Sequence, residues 1–221
     1  MFIQKEVFII DGMKSSPVWV KKSFAILSQL IFIFLILVGG FVIFHNLYFT
    51  PIKIVGSSME PTLTNQEFGV MDQSQGALNR LQRFDIVIVK QNPSVDRYLI
   101  KRVIGLPGET LVFDAQGHLT INNVSVDQPF IPEVGYQDRT CINLNAQGCT
   151  PITLDEQSYF VLGDNRGFST DSRVFGPILR DQLIGQLFAI EGRCQGNTTS
   201  ASSEDPDTCG NRQYFWPRIY A

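Results

Sequence analysis

Histidine is scarce here: only His45 and His118 occur in 221 residues. His118 follows Gln116-Gly117 in a turn between expected strands, and His45 closes the long apolar run. Neither is placed to act as general base, so a Ser-His-Asp arrangement finds little support. Cysteine is limited to Cys141, Cys149, Cys194 and Cys209, none in C-x-x-C spacing, and with so little histidine a zinc site has no basis. No histidine or lysine lies near any of them in sequence, which argues against a catalytic thiol. The four form two sequence-local pairs, bracketing Ile142–Gly148 and Gln195–Thr208. They read as two disulfides made in an oxidising compartment rather than as free buried thiols. Excess positive charge is also lacking. A formal net charge of −3 offers no basic field for nucleic acid. There is no internal repeat, and helical periodicity is weak after the first fifth of the chain.

What the chain does have is one long apolar run. Ser23 to Phe44 carries no charge, and only Ser23, Ser28 and Gln29 interrupt it as polar side chains. At 1.5 Å per residue, roughly 20 residues cross a hydrocarbon core of ~30 Å, so the run is long enough to span. A cleavable signal segment would have a shorter apolar part and a small-residue exit. His45-Asn46-Leu47-Tyr48-Phe49 offers no such exit, and an uncleaved anchor is expected. Lys14, Lys21 and Lys22 precede the run and only Lys53 closely follows it. The positive-inside bias then places residues 1–22 in the cytoplasm and 45–221 outside. Gly39-Gly40 fits a helix-contact face but needs no role.

Beyond the anchor, Tyr48–Val55 reads as an extended lead-in, with Pro51 disfavouring helix at Thr50. Phe84–Lys90, Arg97–Ile104, Thr110–Phe113, Leu119–Ile121, Val124–Val126, Ser158–Leu162 and Leu183–Glu191 read as strands bounded by turn residues, with Gly185 a candidate bulge. The fold class is therefore mainly β after a single N-terminal transmembrane helix. Residues 127–151 look irregular, and 195–211, rich in Gly, Asn, Ser, Thr and Asp, read as a flexible loop. Phe215-Trp216-Pro217 is expected to pack back on the core rather than touch lipid.

The chemistry starts at Gly56-Ser57-Ser58-Met59-Glu60-Pro61-Thr62-Leu63. Pro61, three residues past Ser58, keeps the segment from a long helix and leaves a hydroxyl on an open turn. An ordinary turn would look similar. A serine nucleophile needs a base, and lysine is the alternative to histidine. Lys101 lies in Tyr98-Leu99-Ile100-Lys101-Arg102-Val103-Ile104. By alternation Lys101 and Arg102 point to opposite faces, so one of the two is turned inward. At pH 8 an ordinary lysine is neutral in only about one molecule in 250. Bringing its pKa to ~8 needs about 3 kcal/mol, which burial can supply and Arg102 as a nearby cation can increase. Hydroxyls, not carboxylates, should be its nearest polar neighbours. The third element is Gly163-Asp164-Asn165-Arg166-Gly167-Phe168-Ser169-Thr170-Asp171-Ser172-Arg173, where Ser169 is placed to orient the lysine and Asp171 to pair with Arg173.

Taken in order, Ser58-Met59-x-Pro61-Thr62-Leu63, Arg83-x-Asp85-Ile86-Val87, Lys101-Arg102-Val103-Ile104-Gly105-Leu106-Pro107-Gly108 and Gly163-Asp164-Asn165-Arg166 with Ser169, Asp171, Ser172 and Arg173 closely resemble the type I signal (leader) peptidases, membrane-bound Ser-Lys endopeptidases. The resemblance covers residues 56 to 177. It implies Ser58 as acylating nucleophile, Lys101 as general base, Ser169 as its orienting hydroxyl, and an Asp171–Arg173 pair supporting the site beside Gly163, Asp164 and Asn165. It implies a Ser-Lys protease β core, about 50–108 and 158–193, with a smaller β insert at about 109–157. The substrate would be a secretory preprotein cut after small-x-small sequences such as Ala-x-Ala, and no cofactor is implied. The membrane would be a plasma or inner membrane, and a thylakoid membrane fits the same reading. Oligomeric state is left open. Where some members carry a serine two residues before the nucleophile, this chain has Gly56. Ser57, Ser58 and Met59 are then the candidates for oxyanion and substrate contacts, led by the Ser58 backbone N–H. A dedicated maturation peptidase of a conjugation or pilus system would carry much the same motifs. A tethered, non-enzymatic β scaffold would need neither Ser58 nor Lys101.

Overall fold

The computed structural model describes residues 18–91, 97–114, 117–131, 144–145, 148–194 and 212–220, with backbone alone for 18–21, 25, 144–145 and 148–149. Lys14, Cys141, Cys209 and the expected loop 195–211 lie outside the described residues. Contact clustering separates residues 1–46 from 47–221.

The first unit is built on α1, Val18–Tyr48. Its stretch from Lys22 to Tyr48 is long enough to cross a membrane, and the most apolar 18 residues within it have a mean hydropathy of 2.7. Its described side chains are exposed on every face. A helix that is apolar all round is suited to lipid rather than to water.

The second unit is antiparallel throughout. Its strands are β1 Phe49–Lys53, β2 Glu67–Asp72, β3 Ile86–Lys90, β4 Tyr98–Gly105, β5 Thr110–Phe113, β6 Leu119–Ile121, β7 Val124–Val126, β8 Leu144–Asn145, β9 Gly148–Cys149, β10 Ile152–Thr153, β11 Ser158–Leu162, β12 Ile178–Leu179, β13 Leu183–Cys194 and β14 Arg212–Ile219. The main sheet runs β1-β2-β13-β3-β4-β11-β12, with β14 also paired to β13. A second sheet, β10-β5-β6-β7, gathers strands from residues 110–153. Between β6 and β7, Asn122 and Asn123 both take positive φ (49° and 67°), the left-handed pair that a two-residue hairpin turn requires. Gly185 does mark an irregularity, since the β13–β3 register shifts between Leu183 and Gly185.

Both faces of the central strands are buried. In β3, Ile86 and Ile88 join a cluster with Ile54, Met59, Leu63, Met71, Leu187 and Ile190, while Val87 and Val89 join Val103, Val161 and Leu183 on the other side. A third cluster, including Ile104, Leu111, Phe113, Leu119 and Phe160, welds the second sheet to the first. This corrects the expectation that only one of Lys101 and Arg102 faces inward. Both are buried, at 2% and 7% exposure, because β4 has protein on each side.

The C-terminal aromatic segment also departs from expectation. β14 is exposed along its whole length, with Trp216 at 94%. It pairs with β13 through its backbone, so alternate side chains face away from the sheet and find no core. Cys194 is disulfide-bonded, as expected of it; the two pairings themselves lie outside the described residues with Cys141 and Cys209.

Candidate active site

Ser58 stands on a turn anchored by its neighbours. Met59 and Leu63, both essentially unexposed, enter the core one helical turn apart, with Leu63 N–H donating to the Met59 carbonyl at 3.0 Å. Burial of two such side chains contributes on the order of 1.5–3 kcal/mol each. The hydroxyl beside them is left at the surface on a rigid base. Gly56 enters the turn at φ 102° with open space where a Cβ would be, and its N–H donates to Asn65 Oδ1 at 3.1 Å.

Two elements close on this turn. From β4, Lys101 Nζ donates to Ser58 Oγ at 2.8 Å and to the Ile100 carbonyl at 2.8 Å. From the loop after β11, Asn165 N–H donates to the Ser58 carbonyl at 3.0 Å and its side-chain amide to the Ser57 carbonyl at 3.1 Å. Gly163 is needed for that approach, since a Cβ there would overlap Ser169 Oγ and the Ser58 carbonyl. Ser58 N–H donates to no acceptor among the described residues.

Burial lowers the Lys101 pKa from 10.5 to about 8, against the attraction of Asp171 and Asp164 and with help from Arg173 and Arg97. The cations that assist are thus not Arg102, as the sequence suggested. Arg102 instead grips Asp164 with two parallel bonds, Nε to Oδ1 at 2.8 Å and Nη2 to Oδ2 at 2.6 Å. It also reaches the Phe84 carbonyl at 2.8 Å and stacks on Phe130. Asp164 accepts a further bond from Thr62 Oγ1 at 2.5 Å. A buried carboxylate is tolerated only with such full partnering.

Asp171 and Arg173 do pair, through Nε at 2.8 Å and Nη2 at 2.7 Å. Burial pushes the Asp171 carboxyl up, but Arg173 and the Gly163 N–H (3.0 Å) outweigh it and hold the pKa below the ordinary value. Asp171 also caps the short helix α2, Ser172–Phe175. Ser169 is different: its Oγ is enclosed and forms no hydrogen bond to Lys101 among the described residues, and its hydroxyl instead helps hold the Asp171 carboxyl below its ordinary pKa. Sequence reasoning missed Thr62, Glu67, Arg102 as the Asp164 partner, and Arg218. Only Arg102 carried a signal, a second charge in an apolar strand.

Ser58 and Lys101 lie along a cleft of about 640 Å³ lined by β1 and the first half of β4. β1 is a sheet edge. β4 pairs with β11 only from Arg102 onward, so Tyr98–Lys101 have a strand, β3, on one side alone. Among the described residues both walls are therefore strand edges of the kind an extended peptide can pair with, although the Ile100 carbonyl already accepts from Lys101.

The profile of the family described as signal peptidase, peptidase S26, matches residues 26–190. Signal peptidase I V of Bacillus subtilis (strain 168) is 34% identical over 66% of this chain and 88% of its own. Signal peptidase I S of the same organism is 32% identical over 78% and 91%, and signal peptidase IB of Staphylococcus aureus (strain N315) 30% over 71% and 81%. A crystal structure of a signal peptidase I from Enterococcus faecalis V583 aligns at 33% identity with a TM-score of 0.40, covering 49% of this chain and 97% of that one. The chain is a serine peptidase. It belongs to the signal peptidase family, peptidase S26.

Proposed function

We propose that this chain is a membrane-anchored endopeptidase that removes signal peptides from exported preproteins by a Ser58–Lys101 dyad. The observation that carries the reading is a lysine brought to a pKa of about 8 and held 2.8 Å from a serine hydroxyl in an open cleft. Neutral Lys101 takes the Ser58 proton as Oγ attacks the scissile carbonyl. It returns that proton to the leaving amine, whose C–N bond breaks as the ester forms. Lys101 then accepts a proton from water as the water attacks the ester, and returns it to Ser58 Oγ as the ester C–O bond breaks. The unpartnered Ser58 N–H is one donor for the oxyanion, and Gly56 contributes no side chain to it.

The preprotein lies extended between β1 and β4 and is cut after a small-x-small sequence. α1 spans the membrane with residues 1–22 in the cytoplasm and the catalytic unit outside. Asp171 and Arg173 keep the Gly163 loop in place.

The test is cleavage of a purified precursor bearing an Ala-x-Ala site, in detergent, with folding followed by circular dichroism. Wild type is expected to cut, and folded Ser58→Ala and Lys101→Ala to be inactive. Undiminished cleavage by Ser58→Ala sinks the mechanism. A wild type that cuts only one dedicated precursor sinks the general specificity and leaves the dyad standing.

A further inference from the structure

β14 lies beyond the stretch that the family profile matches, which stops at residue 190. It nevertheless reaches the nucleophile turn. Arg218 Nη2 meets Glu67 Oε1 at 2.6 Å, and Arg218 Nη1 donates to the Thr62 carbonyl at 3.3 Å. The Glu67 side chain is only 3% exposed, and its other oxygen accepts the Thr64 N–H at 3.0 Å. The far end of the turn carrying Ser58 is thus held at the Thr62 carbonyl by Arg218 and at the Thr64 N–H by Glu67, while Arg193 donates to the Thr64 hydroxyl.

The arginine itself sits on a fixed element. Arg218 is in register with Ile190 of β13 and lies over the Phe215 ring. Two residues on, Tyr220 N–H donates to the Phe188 carbonyl at 2.9 Å, and its ring packs against the cluster that contains Met59 and Leu63. From Thr62 the connection runs onward, since its Oγ1 donates to Asp164, and the adjacent Asn165 holds the Ser58 carbonyl.

We propose that Arg218 is a positioning residue for the reaction: bridging Glu67 and the Thr62 carbonyl, it clamps the Met59–Thr64 turn and so fixes Ser58 Oγ against Lys101. The clamp rests on the reading of Ser58 as nucleophile. The plainer role, neutralising Glu67, would be met by any cation, and Arg193 already approaches Glu67 at 3.4 Å. Only a planar fork serves the carboxylate and the carbonyl at once.

Two variants of the full-length enzyme in detergent separate these roles. Arg218→Lys keeps a charge for Glu67 but has a single ammonium to share between two acceptors. The double variant Glu67→Gln/Arg218→Met leaves no buried charge without a partner. Cleavage of an Ala-x-Ala precursor is followed under saturation, normalised to the folded fraction by circular dichroism. A misplaced nucleophile predicts kcat lowered by roughly 10- to 100-fold in both, with KM nearly constant because the cleft is untouched. Values of kcat within about twofold of wild type overturn the clamp. So does a rise in KM at constant kcat, or a loss that vanishes on normalisation. If Ser58→Ala is dead while Arg218→Lys is fully active, the clamp alone fails. If Ser58→Ala is active, the nucleophile reading fails with it.

Discussion

Lys101 ties the chemistry to measurable equilibria. Its pKa is lowered from 10.5 to about 8 mainly by burial, so in the proposed role of base it is protonated and inactive below pH 8 and becomes neutral above it. The rate kcat/KM is expected to fall about tenfold per pH unit below an acid limb near pH 8, read from precursor cleavage across pH with enzyme folding monitored. The same shift has a stability consequence of definite sign. Between about 8 and 10.5 the unfolded chain binds more protons than the folded one, so stability rises with pH in that window and the full cost is present below it. Lys101→Met removes the cost. It should therefore be more stable than wild type at about pH 7, by up to about 3 kcal/mol, and lose that margin by about pH 10.5. Urea denaturation at both pH values checks it, and an equal margin at both would show that packing, not charge, is responsible.

At the scale of elements, the nucleophile turn and the loop after β11 act as one body. Leu63 is fully buried and, with Met59, anchors the turn that carries Ser58. Leu63→Ala is expected to cost about 2–5 kcal/mol and to reduce kcat in whatever fraction stays folded. A melting curve and saturation kinetics on the same sample measure the two separately. Several elements were legible in advance for local reasons. β5, β6, β7 and β11 fall at the expected residues because short β-branched runs end at strong turn formers such as Asn122-Asn123. The Ser58, Lys101 and Gly163–Arg173 segments were legible as candidates for the same local reason, an exposed turn, a charge in an apolar run and a loop dense in polar groups. What pairs with what was not. Alternation in Lys101-Arg102 implies one buried charge only if a strand has one buried face, and β4 has two. Phe84 at φ 77° carries no glycine or asparagine signature, and its carbonyl is held by a residue 18 positions away. Phe215-Trp216-Pro217 read as an apolar segment bound for the core, since nothing local reveals that β13 runs to Cys194 and offers residues 212–219 an edge.

For the whole molecule, the question is what the anchor contributes to a site built entirely within residues 47–221. Every partner of Ser58 and Lys101 found above belongs to that unit. The anchor is therefore expected to leave the chemical step alone and to act on encounter. On the proposed function, a preprotein held in the bilayer by its own apolar segment would share the surface to which α1 would confine the enzyme, and such tethering raises effective concentration without any new contact. Removing residues 1–46 should then leave kcat on a short soluble peptide within about twofold. On a precursor embedded in vesicles, kcat/KM should drop by roughly 100-fold. The two substrates assayed side by side decide it. An equal loss on both would mean that α1 supports the fold of the catalytic unit, and no loss on either would mean that encounter at the membrane is not what limits the enzyme.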